Sequence, residues 1–235
     1  MISNQFKNII NDLKKSGHIF KKFSIKSKKG LFLRFDVDIS ITNALLIARY
    51  LAKQKIAANF FFQPNNEIYN IFNKKNKSII NEIHNLNHLI GLHIDENFFS
   101  IREKDILNTL NFFQKNNYNF SYVISFHRPS QKVLKKKYKK IINTYESNFF
   151  NNKNYISDSG KSLFFKKRIK SFLKKNNKLI QILMHPIWCS KITKTEKIYL
   201  ELKKNSHQNL NNYLMDNFPK VFGNVVLKKK YLFKL

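Results

Sequence analysis

Four short apolar runs each end in an ionisable residue, and this constrains the chain more than any other feature. The first is Leu31-Phe32-Leu33-Arg34-Phe35-Asp36-Val37-Asp38. The second, Leu89-Ile90-Gly91-Leu92, ends in His93. The third runs into Ser125-Phe126-His127-Arg128-Pro129, and the fourth, Ile182-Leu183-Met184, into His185-Pro186. Runs this short, rich in Val, Ile, Leu and Phe, read as buried strands. Helix-like stretches separate them, which implies parallel strands joined by helical crossovers. In parallel sheets and barrels, ligand and catalytic groups collect at the C-terminal strand ends. Carboxylates, imidazoles and a guanidinium on one rim point to hydrolytic, metal-assisted chemistry.

The pattern predicts helices over 3–15, 41–55, 77–87, 101–117, 167–175 and most of 193–218. Ser40 is a plausible N-cap for the second, which puts Ala44, Leu45, Ala48, Leu51 and Ala52 on one face. Strands are expected over 31–37, 57–63, 89–94, 122–126 and 179–184. Short strand candidates lie near Ile141, Tyr155 and Leu163, and a final strand is expected over 225–235. The fold class is α/β, with no internal repeat.

At 235 residues the chain can form one large α/β domain with a full core. Five glycines and four prolines leave little room for flexible linkers. A single cysteine, Cys189, forms no intramolecular disulfide, which suits a reducing, cytoplasmic location. Residues 1–15 lack the continuous apolar segment of a signal peptide. No apolar run approaches the roughly 20 residues of a membrane-spanning helix.

The formal net charge of +30 raises nucleic acid or an anionic membrane surface as partners. The excess is overwhelmingly lysine, spread through the chain with Asn, Ile and Phe; arginine occurs only at Arg34, Arg49, Arg102, Arg128 and Arg168. Nucleic-acid recognition leans on arginine for bidentate and stacked contacts. Compositional drift therefore accounts for the charge better, and no nucleic-acid partner is expected. An anionic substrate would still benefit from the positive field.

Asp36 and Asp38 stand two apart on a strand, so both face one side. Two ionised carboxylates on one face need a cation or a shared proton. Asp38 alternatively caps the helix that follows. His93, taken with Asp38, makes an imidazole–carboxylate pair suited to zinc and similar divalent ions. His84 and His88, four apart, would suit zinc if both lay on one helix. Arg128 precedes a proline, which keeps it out of helical geometry. On the rim it could clamp an aspartate or an anionic substrate. His185, three residues before Trp188, suits general-acid work; otherwise it only caps its strand, with Trp188 in the core. Asp158, in Ser157-Asp158-Ser159-Gly160, either orients an imidazole or makes a turn.

On these residues the chain resembles the polysaccharide deacetylase superfamily, with its NodB-type domain, and more narrowly a branch found with surface-polysaccharide biosynthesis. The resemblance spans roughly Leu31 to Trp188. It implies a single-domain distorted (β/α) barrel over 31–235, with 1–30 a helical extension packed on it. It also implies a divalent metal, usually zinc, and hydrolysis of an N- or O-acyl group on a sugar or glycoconjugate precursor. Phe35-Asp36-Val37-Asp38 matches the first motif, with Asp36 as general base and Asp38 as metal ligand. Asn87 to His93 matches the segment that delivers the ligand His93. Arg128-Pro129 matches the motif whose arginine orients the base. Asp158 corresponds to a fourth motif, and His185 to the general acid of the fifth. Trp188 and His127 fall to substrate binding. The family's second ligand histidine would stand at position 97, where this chain has Asn97; His127, and next Asp95, are the candidates to replace it. The alternatives are a non-catalytic carbohydrate-binding or scaffold relic of the fold, and a basic nucleic-acid-binding protein.

Overall fold

A computed structural model describes residues 1–24, 26, 29–159, 165–174, 178–192 and 194–232. Two compact units are present, Met1–Lys191 and Ile192–Leu235.

The first unit opens with α1, Asn4–Lys15, whose N-cap Ser3 accepts the Phe6 amide. Phe6, Ile9, Ile10 and Leu13 recur at helical spacing and are buried. Strand β1, Gly30–Val37, follows, then α2, Ile41–Lys53. Ser40 caps α2 by accepting the Asn43 amide, as its sequence position predicts. Next come β2 (Asn59–Phe62), α3 (Lys74–Asn85), β3 (Leu89–Asp95) and α4 (Glu103–Lys115). The unit finishes with β4 (Val123–His127), β5 (Ile142–Asn143), β6 (Tyr155–Ser157), α5 (Phe165–Leu173), β7 (Leu179–Met184) and a 3-10 turn, Pro186–Cys189. The strand candidate near Leu163 lies outside the described residues.

The second unit is two helices, α6 (Thr195–Asn217) and α7 (Pro219–Leu232). The strand expected over 225–235 is therefore corrected, since 225–232 is helical. Pro219 supplies the reason: at the first helical position its fixed φ favours helix and its missing N–H costs nothing.

All seven strands pair in parallel, in the order β5-β4-β3-β2-β1-β7-β6. Adjacent strands lie about 4.8 Å apart, so a flat sheet would hold β1 and β5 roughly 19 Å apart. Yet Arg34 of β1 donates at 3.0 Å to the hydroxyl of Tyr145, two residues beyond β5. Gln181 of β7 reaches the carbonyl of Thr144, one residue beyond β5, at 2.9 Å. The sheet thus curls round one face into a distorted, unclosed barrel. Among the described residues no pairing joins the end strands β5 and β6.

Alternation sorts each strand between two surroundings. Leu31, Leu33, Phe35 and Val37 point outward into the main core, with Phe60, Phe62, Ile90, Leu92, Ile124, Phe126, Ile180, Ile182 and Met184. The concave face carries the alternate residues. At its base Phe23, Phe32, Phe61 and Phe149 form a plug with Leu89, Val123 and Ile142. Phe23 stacks on Phe32 at 5.0 Å between centroids and meets Phe149 edge-on at 5.0 Å. Gly91 sits on this face because a Cβ there would stand 2.7 Å from the Phe61 ring and 2.3 Å from the Val123 carbonyl. Above the plug the face becomes polar.

Candidate active site

The polar part of the concave face is built in two tiers. The lower tier centres on Arg34, a fully buried guanidinium. Its Nε and Nη2 donate to Asp36 Oδ1 and Oδ2 at 2.8 and 2.6 Å. Nη2 also reaches Tyr145 Oη at 3.0 Å, and Nη1 reaches Gln181 Oε1 at 3.4 Å. The guanidinium lies over the Tyr145 ring, 4.4 Å from its centroid. Gln181 is fixed by donating to the Thr144 and Phe149 carbonyls. Burial opposes ionisation of Asp36, but the charge and hydrogen bonds of Arg34, with His93 and His185 nearby, together outweigh it and hold the carboxyl below its usual range. Burial likewise works against the Arg34 charge, and Asp36, with Tyr145 and Tyr155, more than restores it.

Ser125 and His93 complete this tier. Ser125 Oγ lies 2.6 Å from His93 Nδ1 and donates to Asp36 Oδ1 at 3.4 Å. Pairing of β3 with β4 sets His93 directly beside Ser125.

The upper tier surrounds Asp38. His93 Nε2 stands 3.1 Å from Asp38 Oδ1, and His127 Nδ1 stands 3.6 Å from the same oxygen. Donor atoms of Asp38, His93 and His127 all lie within 4.8 Å of one another. On the other side His185 Nε2 is 3.5 Å from Asp38 Oδ2. Burial works against an ionised Asp38, yet the surrounding imidazoles of His127, His93 and His185 together outweigh it and hold the carboxyl far below its usual range. Gln63 donates to Asp38 Oδ1 at 3.4 Å, and Asn66 donates to its backbone carbonyl at 2.7 Å. Asp38 thus faces the site instead of capping α2, where Ser40 does that work.

His185 is anchored from behind. Its Nδ1 lies 2.6 Å from Asp158 Oδ1, and its backbone amide donates to Asp158 Oδ2 at 3.0 Å. Burial alone would lower the imidazole's pKa, but the Asp158 hydrogen bond and charge, with Asp36 and Asp38 beyond, push it up to about 9. Burial pushes the Asp158 carboxyl up, against the pull of His185. A cavity of about 40 Å³ is lined by Asp36, Asp38, His185, Ile39, Pro186, Ile187 and Trp188. That is room for a water molecule, not for a sugar ring.

Asp36, Asp38, His93, His127 and His185 therefore converge from the ends of their apolar runs, and Asp158, just beyond β6, and Trp188, in the 3-10 turn, join them. Arg128 does not join them. The guanidinium on Asp36 belongs to Arg34, which corrects the expectation that Arg128 holds that carboxylate. The reason is position: Arg128 lies one residue past the end of β4, in the bend that leads into Pro129. Arg128 is exposed, at a left-handed φ of 47° before Pro129. Asn97 and Asp95 are likewise outside the cluster. Both belong to a turn, in which the Asn97 amide donates to Asp95 Oδ1 at 2.9 Å. His84 and His88 do not share a helix, since α3 ends at Asn85. His88 instead accepts the Ala58 amide and bonds the Ala48 carbonyl.

Sequence reasoning missed Arg34, Ser125, Gln63 and Tyr145. For two of these a signal existed. Arg34 has the strand parity of Asp36 and Asp38, and Ser125 that of His127.

Compared with known proteins, the chain matches no protein-family model and no curated sequence significantly. Solved structures are similar at low identity. The Bc1960 peptidoglycan N-acetylglucosamine deacetylase is 18% identical, with a TM-score of 0.45 over 85% of this chain and 92% of that one. The chitin deacetylase of Colletotrichum lindemuthianum is 14% identical, with a TM-score of 0.43 over 74% and 81%. BA3943 of Bacillus anthracis, a CE4 family pseudoenzyme, is 15% identical, with a TM-score of 0.41 over 77% and 63%.

Proposed function

We propose that this chain is a metal-dependent hydrolase of the polysaccharide deacetylase superfamily, removing an N- or O-acetyl-type group from a sugar or glycoconjugate precursor. The observation that carries the reading is the cluster round Asp38. Three donor atoms, from Asp38, His93 and His127, lie within 4.8 Å of one another. A carboxylate with two imidazoles is the donor set of open zinc sites. The site also fits a cation electrostatically, because the carboxylates of Asp36, Asp38 and Asp158 outnumber the positive charges of Arg34 and a protonated His185.

Zinc held by Asp38, His93 and His127 would lower the pKa of a water molecule and polarise an acyl carbonyl. Asp36, fixed by both donors of Arg34, borders the water-sized cavity and takes the proton of the attacking water. His185, on the far side of Asp38, is protonated at neutral pH and gives its proton to the leaving nitrogen or oxygen. Asp158 keeps the Nδ1 proton in place, so that Nε2 faces the reaction. Trp188 and Pro186 supply an apolar wall at the mouth, against which a sugar ring can lie.

One observation favours a second reading, a metal-binding relic of the fold that binds sugar without turnover. Asp36 is only 1% exposed and both its oxygens are engaged by Arg34, which weakens it as a base. Metal content and turnover separate the two. The enzyme reading expects about one zinc per chain, lost in Asp38→Ala, and acetate release from an acetylated chitooligosaccharide or acetylated xylan, abolished in Asp36→Asn. Bound zinc with no release from any acylated sugar supports the relic. Failure to take up zinc at all overturns both.

A further inference from the structure

We infer that Ser125 is a positioning residue that sets the tautomer of His93 and so readies its Nε2 for a metal ion. The inference rests on the metal-site reading above and adds a role to a residue outside the ligand set.

The argument is one of hydrogen-bond accounting. Arg34 has donors only, and it engages both oxygens of Asp36 at 2.8 and 2.6 Å. Asp36 is thereby an ionised, acceptor-only group. Ser125 is fully buried, and its Oγ lies 3.4 Å from Asp36 Oδ1. Two oxygens with no hydrogen between them would repel at that separation, so the hydroxyl hydrogen is directed to Asp36. The lone pairs of Ser125 Oγ are then what His93 Nδ1 meets at 2.6 Å. Nδ1 must be the donor, and its proton is held there.

The consequence falls on the other ring nitrogen. With Nδ1 protonated, Nε2 of a neutral imidazole presents a lone pair, 3.1 Å from Asp38 Oδ1. Two acceptors facing each other at that distance call for a positive charge there, a proton in the metal-free protein or a metal ion in its place; Asp36 Oδ2, 3.6 Å from the same nitrogen, adds to the demand. His127 Nδ1 converges on the same oxygen from the next strand. A single chain of contacts, Arg34 to Asp36 to Ser125 to His93, thus links the buried guanidinium to the metal face of the ligand. Register puts it there: β3–β4 pairing places Ser125 beside His93, and the curl of the sheet brings both to β1. The opposite tautomer would carry the proton on Nε2, where it would block coordination.

The test is zinc affinity by competition with a chromophoric chelator, on wild type, Ser125→Ala, Ser125→Thr and Asp38→Ala, with far-UV circular dichroism confirming the fold of each. Ser125→Ala should weaken zinc binding by roughly 10- to 100-fold, the usual effect of removing a ligand's hydrogen-bond partner. Ser125→Thr, which keeps the hydroxyl, should retain affinity within a few-fold of wild type. An unchanged affinity in Ser125→Ala overturns the inference while leaving the metal site standing. Equal losses in the Thr and Ala variants also overturn it, because packing at this buried position, not the hydroxyl, would then set the affinity. If wild type binds zinc no better than Asp38→Ala, the metal-site reading itself fails, and the role of Ser125 falls with it.

Discussion

His185 Nδ1 lies 2.6 Å from Asp158 Oδ1 while its Nε2 turns to Asp38, so one imidazole is held between a buried carboxylate and a half-buried one. The pair fixes both where the ring points and when it loses its charge.

A pH dependence of stability follows in the metal-free protein. The His185 pKa is raised from 6.5 to about 9. A raised folded-state pKa stabilises the fold fully below the unfolded value and loses that contribution as pH climbs through the folded one. The contribution, on the order of 3 kcal/mol, should therefore fade between about pH 6.5 and 9. Urea unfolding of wild type and His185→Gln across that window checks this. The wild-type midpoint should fall toward that of the variant as pH rises, and parallel curves would refute it. In the proposed reaction, His185→Ala should also lower turnover by roughly a hundredfold or more without emptying the metal site.

The donor set makes a second prediction. His127, not position 97, stands beside Asp38 and His93. His127→Ala should weaken zinc binding by at least tenfold, and Asn97→His should not strengthen it, because residue 97 sits in the turn closed on Asp95. Isothermal titration with zinc reads both. Tighter binding in Asn97→His would mean that the loop reaches the site.

Replacing Arg34 should be far more damaging than replacing Arg128. Arg34→Met strands the buried Asp36 carboxylate, at a cost of about 3–5 kcal/mol. Adding Asp36→Asn should restore part of that loss, since no unpaired charge then remains. Arg128 is exposed and makes no ion pair among the described residues, so Arg128→Ala should change stability by less than about 0.5 kcal/mol. Equilibrium denaturation of the four proteins gives the comparison, and equal losses at the two arginines would contradict it.

Gly91 supplies a prediction about the barrel alone. A Cβ there meets the Val123 carbonyl at 2.3 Å and the Phe61 ring at 2.7 Å. Gly91→Ala should cost about 1–3 kcal/mol through overpacking. The cost should show as a lower thermal midpoint, with zinc stoichiometry unchanged. An unaffected midpoint would mean that the concave face has slack at its base.

Much of the site was legible in the residue order. Asp36, Asp38, His93, His127 and His185 all end apolar runs, and strand ends of a parallel sheet share one rim. The same order was misleading in two places. Val225-Val226-Leu227 reads as strand, yet Pro219 opens a helix that runs through it. Arg128 sits beside a site histidine in sequence, but it lies past the end of β4 in a left-handed bend that leaves it exposed.

What the sequence determined by itself is therefore parity: which residues of each strand share a face. Arg34, Asp36 and Asp38 are bound to one side by the two-residue period of an extended chain, and Ser125 and His127 likewise. What it left open is which faces meet. That was decided by the register of β3 against β4, which sets His93 beside Ser125, and by the curl that carries Tyr145 from beyond β5 across to Arg34. Side-chain direction is a local consequence of backbone geometry. Partnership across strands depends on contacts between residues up to 147 apart in the chain, and only the packed sheet selects those.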